Sequence, residues 1–312
     1  MANEKRTTIG GQALIEGIMM RGPFRQAIAV RDQDGQIVLK TEELKFIKDK
    51  YPILGWPFIR GIVNFGGSMI AGVKALMYSA SFYPEEEEEA EPGKLEQWLE
   101  THVGSEKLES LIIYAAVVLG VCLSVGLFML LPTFLVGLVR PIHDHYFLRN
   151  LCEGVMKIVI FTGYMIAVSR MKDMRRVFSY HGAEHKTIKC YELGKPLTVE
   201  NVRPCTRKHP RCGTSFLFVV IIISILVGSV IRVGNTLLRM LCHLALLFPV
   251  VAISYEFNRL VGRYDNALTR VLRAPGMWFQ RFTTNEPDDS MIECAIAAMQ
   301  AVIPDEEGAD NW

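Results

Sequence analysis

Two histidines four residues apart, His181 and His185, flank a carboxylate, Glu184, in the stretch Ser179-Tyr-His-Gly-Ala-Glu-His-Lys186. On a helix, positions i and i+4 share a face, so both imidazoles can reach one metal ion. The order H-x-x-E-H inverts the zinc-protease motif, in which the glutamate is the general base. A divalent metal, zinc first, is the cofactor this spacing calls for. Water on such an ion has a pKa of about 7, and Glu184 could take its proton during attack on a carbonyl. Without a metal, histidines at this spacing are ordinary surface or core residues.

A catalytic zinc needs a third protein ligand and an open position. The stretch Cys205-Thr-Arg-Lys-His209-Pro-Arg-Cys212-Gly supplies candidates, and three readings stay open. Cys190, Cys205, His209 and Cys212 could form a separate structural zinc knot. His209 or Cys212 could instead return beside the histidine pair, or Cys212-Gly213 could simply form a turn. Two further carboxylates are possible site residues. Glu16 lies in an apolar run, either as a solvent-facing strand residue or as a site carboxylate. Glu256, like Asp265, could face the site or pair with Arg259 or Arg263. Glu286, Asp288 and Asp289 read as charges at a helix N-terminus. No Walker loop, dinucleotide fingerprint or Gly-x-Ser-x-Gly elbow is present.

The elements that must position these residues read as a membrane protein. Half of the 312 residues are hydrophobic, mean hydropathy is +0.22, and net charge is only +1, which gives no electrostatic case for nucleic acid. Seven scattered cysteines argue for reduced thiols rather than a disulfide framework. The polar N-terminus leads into no apolar signal region, so no cleavable signal peptide is expected.

Residues 1–50 suggest a β region, a three-strand meander with a hairpin at Asp34-Gly35. Residues 51–82 are apolar but interrupted by Arg60, Asn64, Lys74 and Gly66-Gly67, which predicts two short amphipathic or re-entrant pieces, with a true span as the alternative. An acidic linker over 83–110 contains Glu85–Glu89. Within 111–256, four stretches read as transmembrane helices: Leu111–Val139, Gly154–Ser169, Ser215–Ile231 and Thr236–Ser254. Lys157 is expected near a span end, where it can snorkel, and Arg239 and His243 should face the bundle interior. Eleven Lys and Arg in the loop 170–213 predict that this loop and both termini are cytoplasmic. Over 257–312, a C-terminal helix opens at the capping-box pair Ser290 and Glu293 after a break at Pro275-Gly276, and Asp305–Trp312 is a polar tail. The fold class is therefore a mainly α membrane protein of four spans, with a small N-terminal β meander and a cytoplasmic C-terminal helix.

Four motifs in this order resemble the YqhQ family of bacterial multi-pass membrane proteins. They are Gly10-Gly-Gln-Ala-Leu-Ile-Glu-Gly-Ile-Met-Met-Arg-Gly22, His181-Gly-Ala-Glu-His-Lys186, His209-Pro-Arg-Cys-Gly-Thr-Ser-Phe216 and Thr283-Thr-Asn-Glu-Pro-Asp-Asp289. The resemblance runs nearly end to end and implies a cell-membrane protein of a family described as uncharacterised or as predicted metal-dependent enzymes. The expected function is a metal-dependent hydrolase, peptidase-like in its motif, with a cytoplasm-facing site. The alternative is a non-catalytic scaffold or regulator whose loop holds a structural metal or binds lipid headgroups. Membrane lipids are the expected partners on either reading; transport is a weaker option, because four spans are few for a carrier.

Overall fold

The computed structural model describes residues 5–45, 47–83, 105–139, 145–264 and 266–311. Asp265 and residues 84–104 of the expected linker 83–110 lie outside the described residues, whereas that linker's last residues, from Ser105, are helical. The chain divides into two compact units. One comprises residues 1–83, 162–224 and 247–312, the other residues 84–161 and 225–246.

The first unit is built on an antiparallel sheet of four strands, not three: β1 (Gly10–Leu14), β2 (Gly17–Arg21), β3 (Arg25–Arg31) and β4 (Ile37–Glu43), in that order. The apolar run Ala13–Met20 is split by a tight turn at Ile15-Glu16, where Glu16 adopts φ 48°. A left-handed non-glycine residue is uncommon, which is why the run reads as one strand. Gly35 supplies φ 80° at the expected hairpin.

Alternation along β2 and β3 fills both faces. Ile18, Met20, Ala27 and Ala29 meet Tyr180, Ala183 and Ile188 of helix α6 (Lys172–Glu192) and Ile292 and Met299 of α12 (Asp289–Gln300). Met19, Ile28 and Val30 pack with Ala75 of α2 (Ile59–Ala80), which follows short turns at α1 (Ile47–Lys50) and Pro52–Gly55. The expected two pieces over 51–82 are thus mainly one 22-residue helix. Tertiary packing overrides its glycines: Gly61 lies against Tyr255, and Gly72 against Gln12 of β1.

Residues 170–213, read as a loop, are largely α6 and a short helix α7 (Val199–Val202). The break expected at Pro275-Gly276 is also absent. Pro275 lies on the exposed side of α11 (Ala267–Thr283), where water can take the carbonyl its ring leaves unbonded. α12 is capped by Asp288, whose carboxylate accepts from the Met291 N–H at 3.0 Å, rather than by Ser290. Its apolar face Ile292, Ala295, Ile296, Met299 and Val302 is buried, as its spacing predicts. The polar tail is anchored: Asp310 is fully buried and bonds Lys5 at 2.8 Å and Thr7 Oγ1 at 2.6 Å.

Among the described residues, two helices are long and apolar enough to cross a membrane. One is Tyr114–Gly137, which joins α3 (Ser105–Val125), a π turn and α4 (Leu131–Gly137). The other is α5 (Tyr146–Val168). A third arises if α9 (Thr236–Ala245) and α10 (Leu247–Arg263), interrupted at Leu246, count as one. α8 (Gly213–Gly228) is apolar apart from Thr214, Ser215 and Ser224 but has 16 residues, about 24 Å at 1.5 Å per residue, against a hydrocarbon core of about 30 Å.

In the second unit, Glu153 of α5 accepts from Arg239 Nε at 2.7 Å and lies 3.2 Å from His243 Nε2 and 3.4 Å from Arg149 Nε. These side chains are buried together, so Arg239 and His243 do face inward. Lys157 does not snorkel. It is buried eleven residues from either end of the 23-residue α5, one turn beyond Glu153.

Candidate functional site

Helix α6 carries His181, Glu184 and His185 beneath β1. Gly182 is required there: a Cβ would stand 2.0 Å from the Asn285 carbonyl oxygen. The segment after α11 is held on α6 by Asn285 N–H to Phe178 O, 2.8 Å, and Asn285 Nδ2 to Arg175 O, 3.0 Å. That segment presents the Thr283 carbonyl to His181 Nδ1 at 2.7 Å. The Arg207 carbonyl likewise takes His185 Nδ1 at 2.6 Å. A carbonyl only accepts, so in each ring Nδ1 is the donor, and in the neutral ring Nε2 holds the lone pair.

Cys212, at the foot of α8, completes the group. His181 Nε2 lies 3.2 Å from Cys212 Sγ, and one ligand atom from each of His181, His185 and Cys212 lies within 4.8 Å of the others. His185 Nε2 is buried with no hydrogen-bond partner. Such an orphaned buried atom is unusual and fits an ion-coordinating role. Tetrahedral zinc, at about 2.0–2.3 Å from N and S ligands, suits this separation.

Electrostatics couple the three groups. Burial alone would raise the Cys212 thiol, but His181 and His185 outweigh it and hold it well below its ordinary value. Burial opposes protonation of His181, yet the Cys212 charge raises it to about 9. The two groups therefore favour each other's charged forms. Burial raises Glu184, against the pull of the two histidines. Its Oε2 is buried and unpartnered. Gly11 of β1 makes room for it, since a Cβ there would lie 3.0 Å from Glu184 Cδ and 2.7 Å from Met19 O. A cavity of about 340 Å³ opens over His181, Glu184, His185 and Cys212.

The other expected site residues lie elsewhere. His209 is adjacent but outside the group, with Nε2 3.4 Å from Glu192 Oε2. Its backbone is held by Gln280, which accepts from the His209 N–H at 2.9 Å and donates to its carbonyl at 2.7 Å. Burial keeps His209 below its ordinary value, while Glu192, also ion-paired to Arg211, is held low against its own burial. Cys190 and Cys205 pack in the apolar core beside α12, so the four-ligand knot with His209 and Cys212 is not assembled. Glu16 is bound by Arg176 and by the Tyr180 hydroxyl at 3.1 Å, as a turn clamp. Glu256 accepts from Arg60 Nε at 2.7 Å and the Phe58 N–H at 3.2 Å. Neither carboxylate joins the His181–His185–Cys212 group.

Sequence reasoning missed the supporting residues Gly11, Gly182, Arg207, Thr283 and Gln280. Three of the four motifs contain one of these residues, Gly11, Gly182 or Thr283. Gly10-Gly11 and Thr283-Thr-Asn285 had no chemistry of their own because their part is space and backbone carbonyls.

Fold and site together define a helix-rich protein with apolar helices of membrane-spanning length and a buried His–His–Cys cluster under a β meander. The chain belongs to the family described as "Protein of unknown function (DUF1385)", whose model matches residues 56–305. It is 35% identical over 295 residues to "Uncharacterized protein YqhQ" of Bacillus subtilis (strain 168), covering 94% of this chain and 92% of that protein. No solved structure matches.

Proposed function

We propose that His181, His185 and Cys212 hold a divalent metal ion, zinc by ligand type, in a membrane-embedded hydrolase whose general base is Glu184. The observation that carries this reading is the anchoring of both histidines. Each Nδ1 is engaged by a backbone carbonyl, His181 turns Nε2 onto Cys212 Sγ, and His185 keeps a buried, unpartnered Nε2. Carbonyls on Nδ1 fix ring orientation and raise ligand basicity in metal sites. Three protein ligands leave a fourth position for water, which the ion would activate. Glu184, raised by burial and beside the cavity, has the placement of a base that takes the water's proton. His209 and Glu192 would orient the wall next to His185. The basic residues of 170–213 support a cytoplasmic site, with both termini on that side if the apolar segments make four crossings.

Metal analysis of the purified full chain tests this, with complementation of a null strain. His185→Ala should lose the metal, whereas Glu184→Gln should keep it and fail to complement. Complementation by Glu184→Gln with metal retained would make the ion structural, in a scaffold or regulator. Unchanged metal content in His185→Ala would overturn the site.

A further inference from the structure

Three hollows in the first unit adjoin in series, two of them along β1, an edge strand of the sheet. The cavity above the histidines is lined in part by Gly10, Gly11 and Gln12. A second hollow shares those three residues and adds Arg21 and Ser68. The third, of about 700 Å³, begins at the same Arg21 and Ser68.

This last cavity is lined by Arg21, Lys45, Arg60 and Arg259, and none of the described residues lining it is acidic. Glu256 engages Arg60 from behind, so one carboxylate faces four cations. Arg21 is half-buried, and among the described residues it has no side-chain hydrogen bond or ion pair. A partly desolvated guanidinium without a counter-charge calls for an anion, and its planar fork suits phosphate.

The rest of the wall alternates polar side chains, Gln26, Asn64, Ser68 and Tyr255, with an apolar part formed by Leu44, Leu54, Val63 and Ala71. Trp56 and Phe58 beside it are 60% and 54% exposed, the residue types that favour a membrane–water interface. The Phe58 N–H bonds Glu256, which sets these aromatics level with the point where α10 turns from the apolar run 247–254 to charged residues. A soluble anion would leave the apolar part of the wall and the exposed aromatics unused; an anionic lipid uses both.

We propose that the Arg21–Arg259 cavity binds the phosphate headgroup of an anionic lipid, and that the hollows along β1 lead from it to the His181–His185–Cys212 site. The headgroup site stands on its own residues. Its role in delivering a lipid substrate rests on the hydrolase reading above.

Calorimetric titration of the purified full chain in non-ionic detergent tests the proposal. The probes are dihexanoyl phosphatidylglycerol, dihexanoyl phosphatidylcholine and inorganic phosphate. Phosphatidylglycerol should bind at least about tenfold more tightly than the other two, in keeping with charge-assisted pairing. Arg21→Gln and Arg259→Gln should each weaken it by about tenfold, and Arg259→Lys should retain most of the affinity. Lys45→Gln, at an exposed position, should weaken it less and guards against misfolding as the cause. His185→Ala should leave it unchanged, which separates this site's failure from failure of the metal reading. Equal binding of phosphatidylcholine, or full affinity in both arginine-to-glutamine variants, would overturn the headgroup site. Inorganic phosphate binding as tightly as phosphatidylglycerol would assign the cavity to a free anion and overturn the lipid.

Discussion

A Cβ on Gly182 would stand 2.0 Å from the carbonyl oxygen of Asn285, so helix α6 and the segment that anchors His181 fit only while residue 182 lacks a side chain. Gly182→Ala should push residues 283–285 off the helix and release the Thr283 carbonyl from His181 Nδ1. Loss of such a supporting bond costs about 10–100-fold in metal affinity. Competition with a chromophoric chelator checks this; wild-type affinity in Gly182→Ala would refute it.

Zinc binding should be pH-dependent with a defined sign. His181, at about 9, is protonated at pH 7, and its charge holds Cys212 well below the ordinary thiol value. Binding at pH 7 should therefore expel about one proton, and affinity should rise about tenfold per pH unit up to about 9. Calorimetry in buffers of different ionisation enthalpy counts the proton.

Thiol chemistry should rank the buried cysteines. Burial raises Cys190 to about 11 and Cys294 to about 12, while Cys212 is held low beside its histidines. After chelation, iodoacetamide at pH 7 should alkylate Cys212 before either, and added zinc should protect it. Peptide mass mapping reads the order, and equal labelling of the three would count against the thiolate.

The C-terminal tail should set part of the acid stability. Burial alone would raise Asp310, but Lys5 and Thr7 outweigh it and depress the carboxyl below its ordinary value. Its stabilisation is thus present above about pH 4 and is lost as pH falls through the depressed value. Asp310→Asn should cost about 1–3 kcal/mol at pH 7 and flatten the loss on acidification below pH 4. Thermal unfolding at both pH values measures each effect.

In the second unit, Glu153→Gln should be severely destabilising, by about 3–5 kcal/mol, because it leaves Arg149 and Arg239 buried without their carboxylate. Thermal unfolding in detergent tests this; a shift within error would show that the ion-paired cluster contributes little.

Much of the site was legible because helical spacing is periodic. His181 and His185 declared a shared face, and the face of α12 from Ile292 to Val302 was readable in the same way. The return of Cys212, 31 residues beyond His181, was only one of several readings, because nothing local fixes the path of the intervening chain. The fold was misread where tertiary contacts override local preference. α2 runs through Gly66-Gly67 because Gly61 and Gly72 are packed on α10 and β1, and the β1–β2 turn is a left-handed glutamate clamped by Arg176.

The charged stripe of α5 bears on how the chain is made. Arg149, Glu153 and Lys157 are spaced four apart on one side of that helix, and the partners that bury them come from α9, some ninety residues later in synthesis. Three ionisable groups on an isolated apolar helix would cost several kcal/mol on entry into lipid. α5 should therefore linger at the insertion machinery until α9 emerges, so that the two enter the bilayer with Glu153 shared between Arg149 and Arg239 rather than in sequence.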